Sequence, residues 1–162
     1  MKIAIGADHA GYKLKEEIKS FLRGKGVEYQ DFGVDSDQLD DDYPDAGKRV
    51  AEKISEGRFE RGILICGTGL GMCLVANKVP GIRATPCYGV FAARLSREHN
   101  DSNILILGAR LTGVDLAKEI VEEWLKGKFQ GGRHKRRLDK IKKIEEKYYR
   151  GGADNTWVNG GS

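Results

Sequence analysis

Short apolar runs and longer amphipathic stretches take turns along this chain. Residues 2–6 form a first run of strand character. Over residues 12–23, Leu14, Ile18, Phe21 and Leu22 fall at i, i+4, i+7 and i+8, one face of a helix. Gly24 and Gly26 supply its stop. Residues 27–32 predict a second strand, and an aspartate-rich loop runs on to Pro44. The helical spacing returns over 45–56 through Ala46, Val50, Ala51 and Ile54. A third strand at 62–65 leads into a glycine loop and a short helix through Asn77. The alternation continues with a strand at 82–87, a helix at 90–98 and a strand at 103–107. A helix follows at 114–126, with Leu116, Ile120, Val121, Trp124 and Leu125 apolar. Gly131 and Gly132 break the chain before a last helix at 137–149, whose stripe of Leu138, Ile141 and Ile144 is thin. This order predicts an α/β protein: a three-layer, Rossmann-like, doubly wound sheet of five parallel strands. Right-handed crossovers then bring the carboxyl ends of the strands to one rim. The thin stripe suits a C-terminal helix that docks on a partner subunit.

The run from Ile63 to Met72 changes the picture from architecture to chemistry. Its branched apolar residues read as a buried parallel strand that ends in Cys66, with Gly67, Gly69 and Gly71 alternating behind it. The thiol thus falls at the carboxyl end of a strand, where open α/β sheets take their ligands. Bare backbone N–H groups beside it suit an anion and favour the thiolate. Cysteine is also a common core residue, which is the reading for Cys73 and Cys87.

Composition excludes more than it selects. The chain of 162 residues fits one domain, with 40% hydrophobic and 32% charged residues. Residues 1–149 read as that domain and 150–162 as a flexible tail. No apolar run approaches the roughly 20 residues of a membrane span, and the N-terminus lacks the form of a signal peptide. Three cysteines without paired spacing suggest free thiols in the cytoplasm. The net charge of +4 resides in residues 133–150, which carry nine Lys/Arg against three Asp/Glu and leave the rest slightly acidic. Seven aspartates between Asp31 and Asp45 would repel a nucleic-acid backbone, so no nucleic-acid partner is expected.

Two glycine patterns narrowly miss nucleotide fingerprints. Gly67, Gly69 and Gly71 misplace the third glycine of a dinucleotide loop, and no acidic residue ends the next strand. Gly6–Lys13 has the glycine spacing of a phosphate loop, but Tyr12 replaces its lysine and Asp8 would repel a triphosphate. Asp8 and His9 follow the first strand, on the rim of Cys66, and equally suit a helix cap beside an exposed histidine. His99 falls at a helix C-terminus, where the dipole favours it, and faces away from that rim within one subunit. Were it catalytic, it would reach the rim of a neighbour. Arg133 and Arg137, four apart, could clamp a phosphate from one helix face or be part of a solvated basic helix. No metal-ligand spacing is present.

Taken together, several blocks resemble the type B ribose-5-phosphate isomerases, the group that includes the galactose-6-phosphate isomerase subunits. These are residues 6–11 (GADHAG), 42–45 (DYPD), 65–72 (ICGTGLGM), 76–84 (ANKVPGIRA), 96–104 (SREHNDSNI) and 131–134 (GGRH), with Arg137 a turn later. The resemblance implies interconversion of an aldose and a ketose phosphate through a cis-enediolate, with no cofactor and no metal. It implies that Cys66 is the base, that Gly67, Gly69, Leu70 and Gly71 frame the loop offering N–H groups to the enediolate, and that Thr68 adds its hydroxyl. His99, helped by Asp8, opens the sugar ring. His9, Arg133 and Arg137 bind phosphate, Asn100 and Arg110 bind substrate, and Tyr43 lines the pocket. It also implies a homodimer or tetramer with shared sites. Six-carbon phosphates of allose or galactose remain alternatives to ribose 5-phosphate, and an anion-binding redox sensor at Cys66 is the reading from another class. Pro86-Cys87-Tyr88-Gly89 is unusual for the group.

Overall fold

The computed structural model describes residues 1–37 and 42–149. The elements run β1 (Lys2–Ala7), α1 (Tyr12–Gly24), β2 (Glu28–Asp31), α2 (Tyr43–Ser55), β3 (Arg61–Cys66) and α3 (Leu70–Ala76). β4 (Ala84–Pro86), α4 (Val90–Asn100), β5 (Ile104–Gly108), α5 (Val114–Lys126) and α6 (Gly132–Tyr149) complete them. All five strands are parallel, in the order β2-β1-β3-β5-β4. The sheet is the expected doubly wound one. The expected tail, 150–162, lies outside the described residues.

Period-two alternation sorts the strand residues between two cores. Ile3, Ile5, Ile63, Ile65, Leu105 and Leu107 pack on one face with Leu14, Ile18, Leu22, Ile120, Val121 and Trp124 of α1 and α5. Ala4, Leu64, Cys66, Ile104 and Ile106 pack on the other, beneath α2 and α3. Trp124 is fully buried, and Arg61 lies over its ring while donating to the carbonyls of Trp124, Leu125 and Gly127 at the end of α5. Those bonds satisfy orphan carbonyls of the last turn.

Three boundaries differ most clearly from the sequence expectation. The fourth strand covers 84–86 rather than 82–87. Asn103 Oδ1 accepts from the Arg83 N–H at 2.7 Å and Asn77 Oδ1 from the Ala84 N–H at 3.0 Å, so side chains tie down the approach to the strand. Pro86, which lacks an N–H, is tolerated because β4 is an edge strand paired only with β5. The second helix, α2, opens at Tyr43 rather than 45, with Pro44 in its first turn, where a missing N–H costs nothing. The last helix starts at Gly132 rather than 137, within the Gly131–Gly132 pair, whose φ angles are 67° and 52°.

One buried cation fixes the loop behind β2. Lys15 of α1 is fully buried, and its Nζ lies 2.7 Å from Asp31 Oδ2 and donates to the Val34 carbonyl at 2.5 Å. Asp31 Oδ1 accepts from the Gly33 N–H at 2.9 Å, and Val34 N–H donates to the Ala7 carbonyl. The loop is thereby strapped to the end of β1, one residue before Asp8.

Candidate active site

Ala7, Cys66 and Gly108 end three adjacent strands, β1, β3 and β5; Cys66 pairs with Gly108, and Ala7 with Ile65 one residue earlier. The chain reverses its direction of winding between β1 and β3, the position at which open α/β sheets form a crevice. A cavity of about 360 Å³ lies there, lined by Asp8, His9, Ala10, Tyr43, Cys66, Gly67, Thr68, Gly71 and Arg110.

Close backbone approach builds this cavity. A Cβ on Gly11 would lie 2.3 Å from the Ile65 carbonyl oxygen, so only glycine lets the loop behind β1 rest against β3. Asp8 Oδ1 accepts the Gly11 N–H at 2.9 Å and closes that turn. Burial raises the Asp8 carboxyl above the usual range, opposed by the Gly11 amide and by the charges of His9 and Arg110. A Cβ on Gly71 would lie 2.6 Å from the Tyr43 ring, so the ring covers the first turn of α3.

The glycine loop is held carbonyl by carbonyl. Ala109 N–H donates to the Cys66 carbonyl at 2.8 Å and Arg110 N–H to that of Gly67 at 2.9 Å. Gly69 adopts a φ of 86°, which glycine takes without strain. Its N–H then donates to Cys66 Sγ at 3.1 Å. Thr68 is exposed on the rim, and its Oγ1 receives the Leu70 N–H at 3.4 Å. Leu70 itself is exposed at the start of α3. The chemistry available is a thiol with a backbone donor on its sulfur, flanked by a carboxyl, an imidazole and a guanidinium.

His99, Asn100, Arg133 and Arg137 are not among the residues lining this cavity. His99 and Asn100 lie in the last turn of α4, and Arg133 and Arg137 in the first turns of α6. There His99 stacks on His134, centroids 4.1 Å apart and rings 8° from parallel. Burial holds His134 below the usual histidine range, with His99, Arg133 and Arg137 adding to the shift. A second, basic cluster therefore forms at the far end of α4, as the winding of the chain requires of a helix that follows a parallel strand.

Two residues escaped the sequence reading. His134 stands only within the GGRH block of the resemblance, although it is one of just three histidines in the chain. Tyr88, two residues behind β4, donates its hydroxyl to the Thr68 carbonyl at 2.9 Å. Its position just past a strand end was the available signal. Among the described residues no group of His, Cys, Asp and Glu is placed to hold a metal ion, and no helix is long and apolar enough to cross a membrane.

The fold and the cavity define an α/β protein with a thiol in a strand-end crevice. Comparison with known proteins gives its relatives. The family model described as Ribose/Galactose Isomerase matches residues 3–141. The chain is 47% identical over 146 residues to ribose-5-phosphate isomerase B of Escherichia coli, covering 90% of this chain and 97% of that one. It is 44% identical to D-erythrulose-4-phosphate isomerase of Pectobacterium atrosepticum over 141 residues, 87% of this chain and 93% of that one. The solved structure of ribose-5-phosphate isomerase B from Clostridium thermocellum superposes with a TM-score of 0.89 at 57% identity, covering 91% of this chain and 99% of that one. The chain belongs to the ribose/galactose isomerase family.

Proposed function

We propose that this protein is an aldose–ketose isomerase that interconverts ribose 5-phosphate and ribulose 5-phosphate. The observation that carries the reading is Cys66 Sγ in the strand-end cavity, bonded by the Gly69 N–H and flanked by Asp8, His9 and Arg110. As thiolate, Cys66 takes the proton from C2 of the open-chain aldose and returns it to C1. Negative charge develops on the C1 and C2 oxygens of the cis-enediolate between these steps. N–H groups of the 67–71 loop, with the Thr68 hydroxyl, stabilise that charge. Cys66 is a proton carrier and forms no bond to carbon. His9 and Arg110 are the nitrogen donors on the cavity wall suited to the substrate's anionic end.

The cavity of one chain holds only part of the groups this chemistry uses. A homodimer in which α4 and α6 of one copy face the cavity of the other adds His99 for ring opening and Asn100, Arg133 and Arg137 for substrate. The apolar stripe of α6 supports it, since Ile141 and Ile144 are 53% and 59% exposed in the single chain. The three thiols are free, which suits a reducing cytoplasm.

A second reading keeps the mechanism and changes the sugar. A relative at 44% identity is named for a four-carbon substrate, so chain length is a variable within this fold, in addition to the five- and six-carbon sugars weighed above. The test compares kcat/KM on four-, five- and six-carbon aldose phosphates for the wild type and Cys66→Ala. Wild-type preference for the five-carbon sugar is expected, with turnover reduced about a thousandfold in the folded variant. Full turnover by Cys66→Ala would overturn the mechanism, and preference for another length would replace the substrate.

A further inference from the structure

The Thr68–Gly69 peptide joins two contacts that come from different parts of the chain. A trans peptide directs its carbonyl and its N–H in opposite directions. The carbonyl end receives the Tyr88 hydroxyl at 2.9 Å, and the N–H end donates to Cys66 Sγ at 3.1 Å. We infer that Tyr88 is a positioning residue for Cys66: its hydroxyl fixes and polarises the one peptide unit whose N–H lies on the sulfur. The inference rests on the reading of Cys66 as base.

Three observations support it. The carbonyls on either side of Thr68 accept from backbone, Gly67 from Arg110 N–H and Gly69 from Cys73 N–H, whereas Thr68 receives a side chain. The peptide also lies where space is short. A Cβ on Gly108 would sit 2.6 Å from the Thr68 carbonyl oxygen, so β5 ends in a residue that leaves this carbonyl its place. Finally, Tyr88 is itself anchored on both sides. Cys87 is buried and its N–H donates to the Ile106 carbonyl at 3.1 Å, and Gly89 opens α4. A donor held in this way loses little freedom on bonding.

Hydrogen bonds in series polarise one another, so a donor on the carbonyl strengthens the N–H as a donor to sulfur. A phenol is protonated across neutral pH, and partial burial with the neighbouring thiols moves that of Tyr88 further up. The consequence is a thiolate stabilised from the far side of a peptide, by a residue whose hydroxyl bonds the Thr68 carbonyl and not the sulfur.

Alkylation of Cys66 by iodoacetamide, followed by mass spectrometry across pH in the wild type and Tyr88→Phe, tests this. Asp8, His9, Tyr43, Cys73 and Arg110 also face or neighbour the thiol, and the variant leaves all of them in place. At pH 7 the variant is expected to react about threefold more slowly, with its rate profile displaced toward higher pH. Its kcat is expected to fall about fivefold with KM within about twofold. Tyr88 is 41% exposed, so loss of one oxygen leaves packing intact, and Tyr88→Leu gives the same direction should Tyr88→Phe fold poorly. Coincident alkylation profiles would overturn the inference, even if kcat fell. A displaced profile with unchanged turnover would uphold the link to sulfur and count against Cys66 as the base.

Discussion

The rim over β1, β3 and β5 and the far end of α4 carry the two halves of the candidate chemistry, and they are built differently. The rim is finished within one chain. Glycines pressed against backbone, a buried Lys15 and paired loop carbonyls fix Asp8, Cys66 and the 67–71 loop before any ligand arrives. The histidine and arginine cluster is shared between the end of α4 and α6, a helix of 18 residues in which His134 alone is buried. Under the reading proposed above, the proton on carbon is moved at the rim of one chain, whereas ring opening and phosphate binding draw on groups that arrive with a second subunit.

Changes on the two sides should therefore fail in different ways. The largest effect is expected at the strap beneath the rim. Lys15→Met leaves Asp31 without its buried partner and should cost about 3 kcal/mol, read as a lower Tm. The same variant has a pH signature. Burial pushes the Asp31 carboxyl up, but the hydrogen bonds from Lys15 and Lys19 and the Gly33 amide outweigh it and hold it below the usual carboxylate range. A depressed folded-state value means the stabilisation is complete above that range and is lost as pH falls through the depressed value. The Tm gap between wild type and Lys15→Met should be widest at neutral pH and close in acid. A gap that widened in acid would contradict the strap.

On the cluster side, His99→Asn should leave Tm nearly unchanged and lower kcat about a hundredfold on a cyclic sugar phosphate. Arg137→Ala is expected to have the smallest effect, a KM about tenfold higher with kcat close to wild type. A loss confined to kcat would remove Arg137 from the phosphate site.

Much of the rim was legible in the sequence because its signals are local. A branched apolar run ending in cysteine and glycines defines a strand end, and Asp8–His9 behind another strand falls on the same edge. The placement of His99 away from that edge followed from winding alone. The strand order β2-β1-β3-β5-β4 was not legible, since pairing between distant segments leaves no periodicity behind. Nor was the start of α6 at Gly132, where a glycine pair marks a break without saying on which side helix resumes. Residues 82 and 83 read as strand because they are apolar or long, yet the side chains of Asn77 and Asn103 tie that segment down. Tyr88 depended on a contact across 20 positions in sequence, and a single hydroxyl carries no pattern.

The division of the site between two copies is tested most directly by mixing two inactive variants. Cys66→Ala lacks the base and keeps the cluster, while His99→Asn keeps the base and lacks the ring opener. Unfolded together and refolded at equal concentration, half of the dimers are mixed, and each mixed dimer holds one intact site. Activity of about a quarter of the wild type should return. A mixture no more active than the average of its two parents would contradict a site shared between subunits.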